Sequence, residues 1–119
     1  MLFTPKALSS VTLDKEILSQ DKETAFSAGP CSLGKKALFL GSYFLSNSRY
    51  VPLTRVERVF KRLAVTRGFY EGKVFGTLAY LVVLHDGGQE AVCRFDHEEE
   101  LDELLNAFRA RTRIPVGKP

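Results

Sequence analysis

Apolar positions recur with a helical period near the C-terminus. Leu101, Leu104, Leu105 and Phe108 fall at i, i+3, i+4 and i+7, the spacing of one helix face. Asp96 stands where a cap belongs, Glu99 follows three residues on, and Glu98 to Glu100 occupy the first turn, where the helix dipole favours carboxylates. Arg109, Arg111 and Arg113 lie near the other end, and Pro115 stops any continuation. The pattern predicts a helix over 97–111.

Immediately upstream the period changes to two. Residues 77–85 are rich in β-branched and aromatic side chains, and Asp86-Gly87-Gly88 supplies turn residues that tolerate positive φ. The return strand, Gln89 to Phe95, alternates: Ala91, Cys93 and Phe95 face one way, Glu90, Val92 and Arg94 the other. The outgoing strand is apolar at both parities, Leu78, Tyr80, Val82 and Leu84 against Ala79, Leu81 and Val83. A strand of this kind is covered on both faces, and the second cover is expected from the N-terminal segment or another subunit.

Between Lys35 and Val65 the chain reads as three or four short strands. Ala37 to Leu40 is apolar and bounded by glycines, and Tyr43–Leu45 and Arg49–Val51 flank the turn-forming Ser46-Asn47-Ser48. Thr54 to Val65 is ambiguous, because Val56, Val59, Phe60 and Leu63 fit a helix face while the β-branched content fits a strand. Residues 67–72 read as a loop. At the N-terminus, Leu13, Ile17 and Leu18 outline a short helix capped by Thr12, within a tail spanning 1–23.

Composition sets the class. The 119 residues are 45% hydrophobic and 26% charged, the balance of one folded domain with a single core. No apolar run reaches the roughly 20 residues of a membrane-crossing helix. The opening residues lack a basic start followed by an apolar stretch, so no secretory signal is expected and the chain reads as cytoplasmic. Cys31 and Cys93 form no CxxC and read as two reduced thiols, and neither His85 nor His97 stands at paired-ligand spacing with them, so no metal or other cofactor is expected.

The formal net charge of +3 conceals an uneven distribution. Lys35 to Lys73 holds nine basic residues against two acidic, a net of +7, whereas Asp86 to Glu103 holds eight acidic against one basic, a net of −7. Such asymmetry bears on surfaces and partners rather than on fold.

The order of elements, short strands followed by one amphipathic helix, with the run Arg49-Tyr-Val-Pro-Leu-Thr-Arg-Val-Glu-Arg-Val59 between them, resembles the bacterial pleckstrin-homology-like domains. Gly29-Pro-Cys-Ser-Leu-Gly-Lys-Lys-Ala-Leu-Phe-Leu40 and Tyr80-Leu-Val-Val83 are similar to segments of short uncharacterised bacterial proteins of that type. The resemblance spans residues 24–113, leaving 114–119 as a C-terminal tail. It implies a mainly β fold, a barrel of about seven antiparallel strands in two near-orthogonal sheets capped by the C-terminal helix, but it supplies no activity, because one fold hosts many functions. It also implies that Thr54 to Val65 is strand, and that Lys35 and Lys36 fall near the place where lipid-headgroup binders of the family carry basic residues.

Three constellations could carry chemistry. Gly29 to Lys35 has the spacing GxxxxGK of a phosphate-cradling loop, but Lys36 replaces the magnesium-binding hydroxyl and a strand follows where a helix is required, so the segment reads as a tight turn entering a strand. Arg55, Arg58, Lys61, Arg62 and Arg67, with Phe69 and Tyr70 beyond, offer cations and aromatic faces. They read as a solvated face paired with Glu98 to Glu103, a docking face for an acidic protein or anionic membrane, or a nucleic-acid surface. His85 and His97 read as surface residues, and nothing in the spacing joins them to Cys31 for acid–base or nucleophilic work.

The reading is therefore a non-enzymatic binding or scaffold module whose ligand face is formed by Lys35, Lys36, Arg55, Arg58, Lys61 and Arg62. A protein partner or second copy ranks first, an anionic membrane surface next and nucleic acid behind them, with no small-molecule substrate. The rival function is a nucleic-acid-associated basic module, and a minor one an enzyme.

Overall fold

Ala37–Leu40, strand β4, is apolar at every position, and all four side chains are buried. Successive side chains of a strand point to opposite faces, so such a strand needs cover on both. The computed structural model, which describes residues 5–41, 48–67 and 74–119, supplies it. Strand β4 lies in the middle of a five-stranded sheet with β1 (Lys6–Ala7), β2 (Phe26–Ala28), β3 (Cys31–Leu33) and β5 (Arg49–Pro52), in the order β1-β5-β4-β3-β2. Helix α1 (Lys15–Glu23) lies on one face, where Leu18 is fully buried with Ala37, Phe39 and Tyr50. Leu38 and Leu40 point into the larger core on the other face.

That larger core is closed by a three-stranded sheet of β6 (Val56–Arg67), β7 (Val74–His85) and β8 (Gln89–Phe95), and by helix α2 (Glu98–Arg111). A short 3-10 turn at Leu53–Arg55 joins the two sheets. Leu101, Leu104, Leu105 and Phe108 are all buried, so the helical period finds its core face. Helix α2 starts at Glu98 with His97 in the cap position, and neither His97 nor the expected Asp96 makes a side-chain cap bond. Its first turn is acidic and its last carries Arg109 and Arg111, matching the helix dipole at both ends.

The hairpin of β7 and β8 turns at Asp86-Gly87-Gly88, all at positive φ (48°, 80° and 101°). The alternation of β8 is realised, with Ala91, Cys93 and Phe95 buried and their neighbours exposed. Thr54 to Val65 resolves as turn and strand: Val56–Arg67 pairs antiparallel with β7 along its length. The expected strand Tyr43–Leu45, the loop at 68–72 and the aromatic pair Phe69 and Tyr70 lie outside the described residues.

Several expectations change. The fold is mainly β with a C-terminal helix, but its two sheets do not close into a barrel among the described residues, and β1 runs parallel to β5. The N-terminal segment packs against the five-stranded sheet instead of trailing as a tail. Its helix begins after Asp14, not Thr12, and the Tyr50 hydroxyl accepts the Leu13 N–H at 2.9 Å. It therefore covers β4, not β7. On the outer face of β7, Val82 lies in one row with Phe60 and Val92 and is fully buried among its neighbours, while Val92 remains 37% exposed. The C-terminal segment is also engaged: Val116 bridges Val59 beside β6, with the Val59 N–H donating to the Pro115 carbonyl.

Candidate functional site

The backbone around Gly34 to Ala37 does cradle an anion, and that anion is internal. Asp21, at the buried side of α1, accepts from the backbone N–H groups of Lys35 (2.7 Å), Lys36 (3.0 Å) and Ala37 (2.9 Å). The turn is also closed by the Gly34 N–H on the Ala37 carbonyl at 2.9 Å. Convergent amides of this kind bind phosphate in nucleotide sites, but here a carboxylate of the same chain fills them. Strands β3 and β4 occupy the places of loop and helix, so the phosphate-loop spacing is the turn-into-strand that the residues favoured.

The six basic residues expected to share one face are distributed over several. Arg58 and Arg62 project from the outer face of the three-stranded sheet and Lys61 from its inner face, because their strand alternates. Lys61 reaches α2 and donates to Glu98 at 2.6 Å and Asp102 at 2.8 Å, and these carboxylates raise its pKa. Arg62 donates to both oxygens of Glu90, at 2.8 and 3.3 Å, and lies 5.9 Å from the centre of the Phe60 ring. Arg58 donates to the Gly117 carbonyl at 2.9 Å, and Arg55 donates through Nε to Asp86 at 2.7 Å. Lys61 thus pairs within the acidic run Glu98 to Glu103 that the solvated-face reading named, whereas Arg62 takes a partner outside it, Glu90.

Lys35 and Lys36 are different. Both are exposed, at the tip of the β3–β4 turn, and neither has an ion-pair partner among the described residues. Lys35 edges a groove of about 380 Å³ between the C-terminal ends of the two helices, opposite Arg111. Leu33 and Leu53 form apolar walls, and Thr24 and Thr112, the residues that cap α1 and α2, complete it. A second depression of about 370 Å³ shares Thr24 and Lys35 and continues past Lys36 to Leu13 and Ile17. The Arg111 guanidinium lies 5.3 Å from the Phe26 ring centre, which fixes the side chain at the rim by cation–π attraction. Both helices end in carbonyl groups here, so Lys35 and Arg111 also offset their partial negative charge. Arg111 was legible in the sequence only as a helix-end cation; its place opposite Lys35 depends on the packing of α2 against the five-stranded sheet.

A second polar cluster joins three distant segments. Asp86 accepts from the Ser9 hydroxyl at 2.9 Å and from Arg55, and its other oxygen accepts from His85 Nδ1 at 2.6 Å. These contacts, the His85 bond foremost, pull its pKa down from 3.8 to about 2. His85 is buried rather than on the surface, contrary to the sequence expectation. The order of bonding argues against nucleophilic catalysis, since a catalytic serine needs the imidazole as its base. Here the serine hydroxyl donates its hydrogen bond to the carboxylate, and the serine oxygen accepts the Val11 N–H at 3.0 Å. The cluster ties the N-terminal segment to the hairpin turn, whose Gly87 and Gly88 amides are satisfied by Glu57.

Among the described residues no three His, Cys, Asp or Glu side chains stand together in a metal-binding group, and no helix is long and apolar enough to cross a membrane. No family model, no curated protein and no solved structure matches the chain.

Proposed function

We propose that this chain is a non-enzymatic binding module of the bacterial cytoplasm that docks an acidic segment of a partner protein through the groove edged by Lys35 and Arg111 and the depression that continues it past Lys36. The observation that carries the reading is the contrast among the cations. Arg55, Arg58, Lys61 and Arg62 each hold a partner within the chain, whereas Lys35 and Lys36 are exposed and unpaired among the described residues. Asp21, whose carboxylate lies beside them, is consumed by three backbone amides. An apolar floor with cations on its rim suits a segment that alternates aliphatic and acidic side chains: the former lose water against Leu33 and Leu53, the latter pair with the rim.

The mainly β architecture with its C-terminal helix is compatible with the pleckstrin-homology-like reading, and the open sheet pair is where it departs from the closed barrel of that family. An anionic membrane and nucleic acid are the competing ligands of the same cations. Titrating isotope-labelled protein with a Glu/Leu peptide, its Gln/Leu counterpart, phosphatidylglycerol vesicles and a single-stranded oligonucleotide separates the three. The proposal expects saturable amide shifts around residues 33–37 and 111–112 with the acidic peptide alone. Shifts with vesicles or oligonucleotide only, or none with any probe, reject it.

A further inference from the structure

Cys31 lies on β3 and Cys93 on β8, 62 positions apart and in different sheets, yet their sulfurs are 3.2 Å from each other in the centre of the core. We propose that these two thiols are a modification site: a reversible disulfide, formed by a hydroperoxide, that links the two sheets. A disulfide bond is about 2 Å long, so the sulfurs need about 1 Å of further approach.

The surroundings assign different roles to the two residues. Cys93 donates to the Gly41 carbonyl at 2.8 Å, which leaves its sulfur to accept the proton of Cys31. That hydrogen bond from Cys31 holds the Cys93 thiol below its ordinary range, while burial raises Cys31 well above its own. Cys93 is therefore the first nucleophile and Cys31 the resolving thiol. Among the described residues β8 is the outer strand of the three-stranded sheet, and local opening there admits a small oxidant.

The chemistry balances with one peroxide. The Cys93 sulfur attacks one peroxide oxygen, the S–O bond forms as the O–O bond breaks, and the departing hydroxide takes the Cys93 proton to become water. Cys31 then attacks the sulfenic sulfur, the S–S bond forms as the S–O bond breaks, and the second hydroxide leaves with the Cys31 proton as water. Two thiols are oxidised and the peroxide is reduced to two waters. The Gly41 carbonyl, buried at the end of β4, loses its thiol donor in the process, so oxidation is felt at that strand end as well.

The test uses the full chain, reduced and folded. It is treated with hydrogen peroxide, denatured, alkylated and weighed intact. The expected product is a monomer lighter by two hydrogen atoms, with neither cysteine alkylated, reverting on addition of dithiothreitol and melting at a higher temperature than the reduced form, because the link restricts the unfolded chain. Full alkylation of both cysteines after a treatment that oxidises the denatured chain, a cross-linked dimer, or sulfinic acid without disulfide would each overturn the proposal. In Cys31→Ser, which leaves Cys93 without its resolving partner, dimedone is expected to trap a sulfenic acid at Cys93; should that variant not fold, the mass of the treated wild-type chain decides alone.

Discussion

The carboxylate of Asp21 occupies the space that a side chain at Gly34 would need, so the two residues are fixed as a pair. Gly34 leaves room for the carboxylate to reach the amides of Lys35, Lys36 and Ala37, and those amides hold α1 onto the five-stranded sheet. The arrangement accounts for a phosphate-loop spacing whose amides are taken by a carboxylate of the same chain. Asp21→Ala strands three backbone donors and is expected to cost about 3 kcal/mol of stability. Gly34→Ala forces the carboxylate out for a cost of about 1–3 kcal/mol. Because both changes remove the same contact, the double variant should lose less than their sum in urea unfolding. Simple addition would show that the pair is not coupled.

Leu18 tests whether the N-terminal segment belongs to the folded unit. It is fully buried against Ala37, Phe39 and Tyr50. Leu18→Ala should lower the stability of the entire chain by about 2–4 kcal/mol in a single transition. A tail that melts by itself would leave the main transition unmoved.

The hairpin and the C-terminal helix were legible because their signals are local. Asp86-Gly87-Gly88 specifies the turn, and Leu101, Leu104, Leu105 and Phe108 specify one face. What escaped the sequence depends on distant contacts. The strand pair Phe26–Ala28 and Cys31–Leu33 is too short to show a period, and the pairing of β3 with β4 is what places Lys35 at the turn between them. His85 looks like a strand-end surface residue until Ser9 and Arg55, from two distant segments, are assembled on the Asp86 carboxylate that it bonds. The block from Arg55 to Arg62 looked like a single basic face because adjacent charges are contiguous in sequence. A strand sends Lys61 and Arg62 to opposite sides, and acidic partners 28 to 41 positions away take them up.

Acid should expose the role of Asp86. Its pKa falls from 3.8 to about 2 on folding, chiefly through His85, so the stabilisation is complete above the unfolded value and disappears as pH drops through the folded one. Stability measured by urea unfolding is expected to decline between pH 4 and pH 2, and Asp86→Asn should flatten that decline while lowering stability at pH 7. An unchanged slope in the variant would assign the acid sensitivity to other carboxylates.

Lys61 is expected to act in stability and not in ligand recognition. It bridges Glu98 and Asp102 from a side chain 26% exposed, so Lys61→Met should cost about 1 kcal/mol or less, and less again in high salt. Thermal melts at two ionic strengths check this. A loss that grows with salt would contradict the ion-pair account.

The decisive measurement is the affinity of the chain for an alternating Glu/Leu peptide, compared between two charge reversals. Lys35→Glu/Arg111→Glu removes the cations of the groove, and Lys61→Glu/Arg62→Glu removes cations already paired within the chain. If the groove is the docking site, the first variant loses at least about tenfold in affinity, about 1.4 kcal/mol, while the second, once shown to be folded, binds as the wild type does. Equal loss in both, or loss confined to the second, would contradict it.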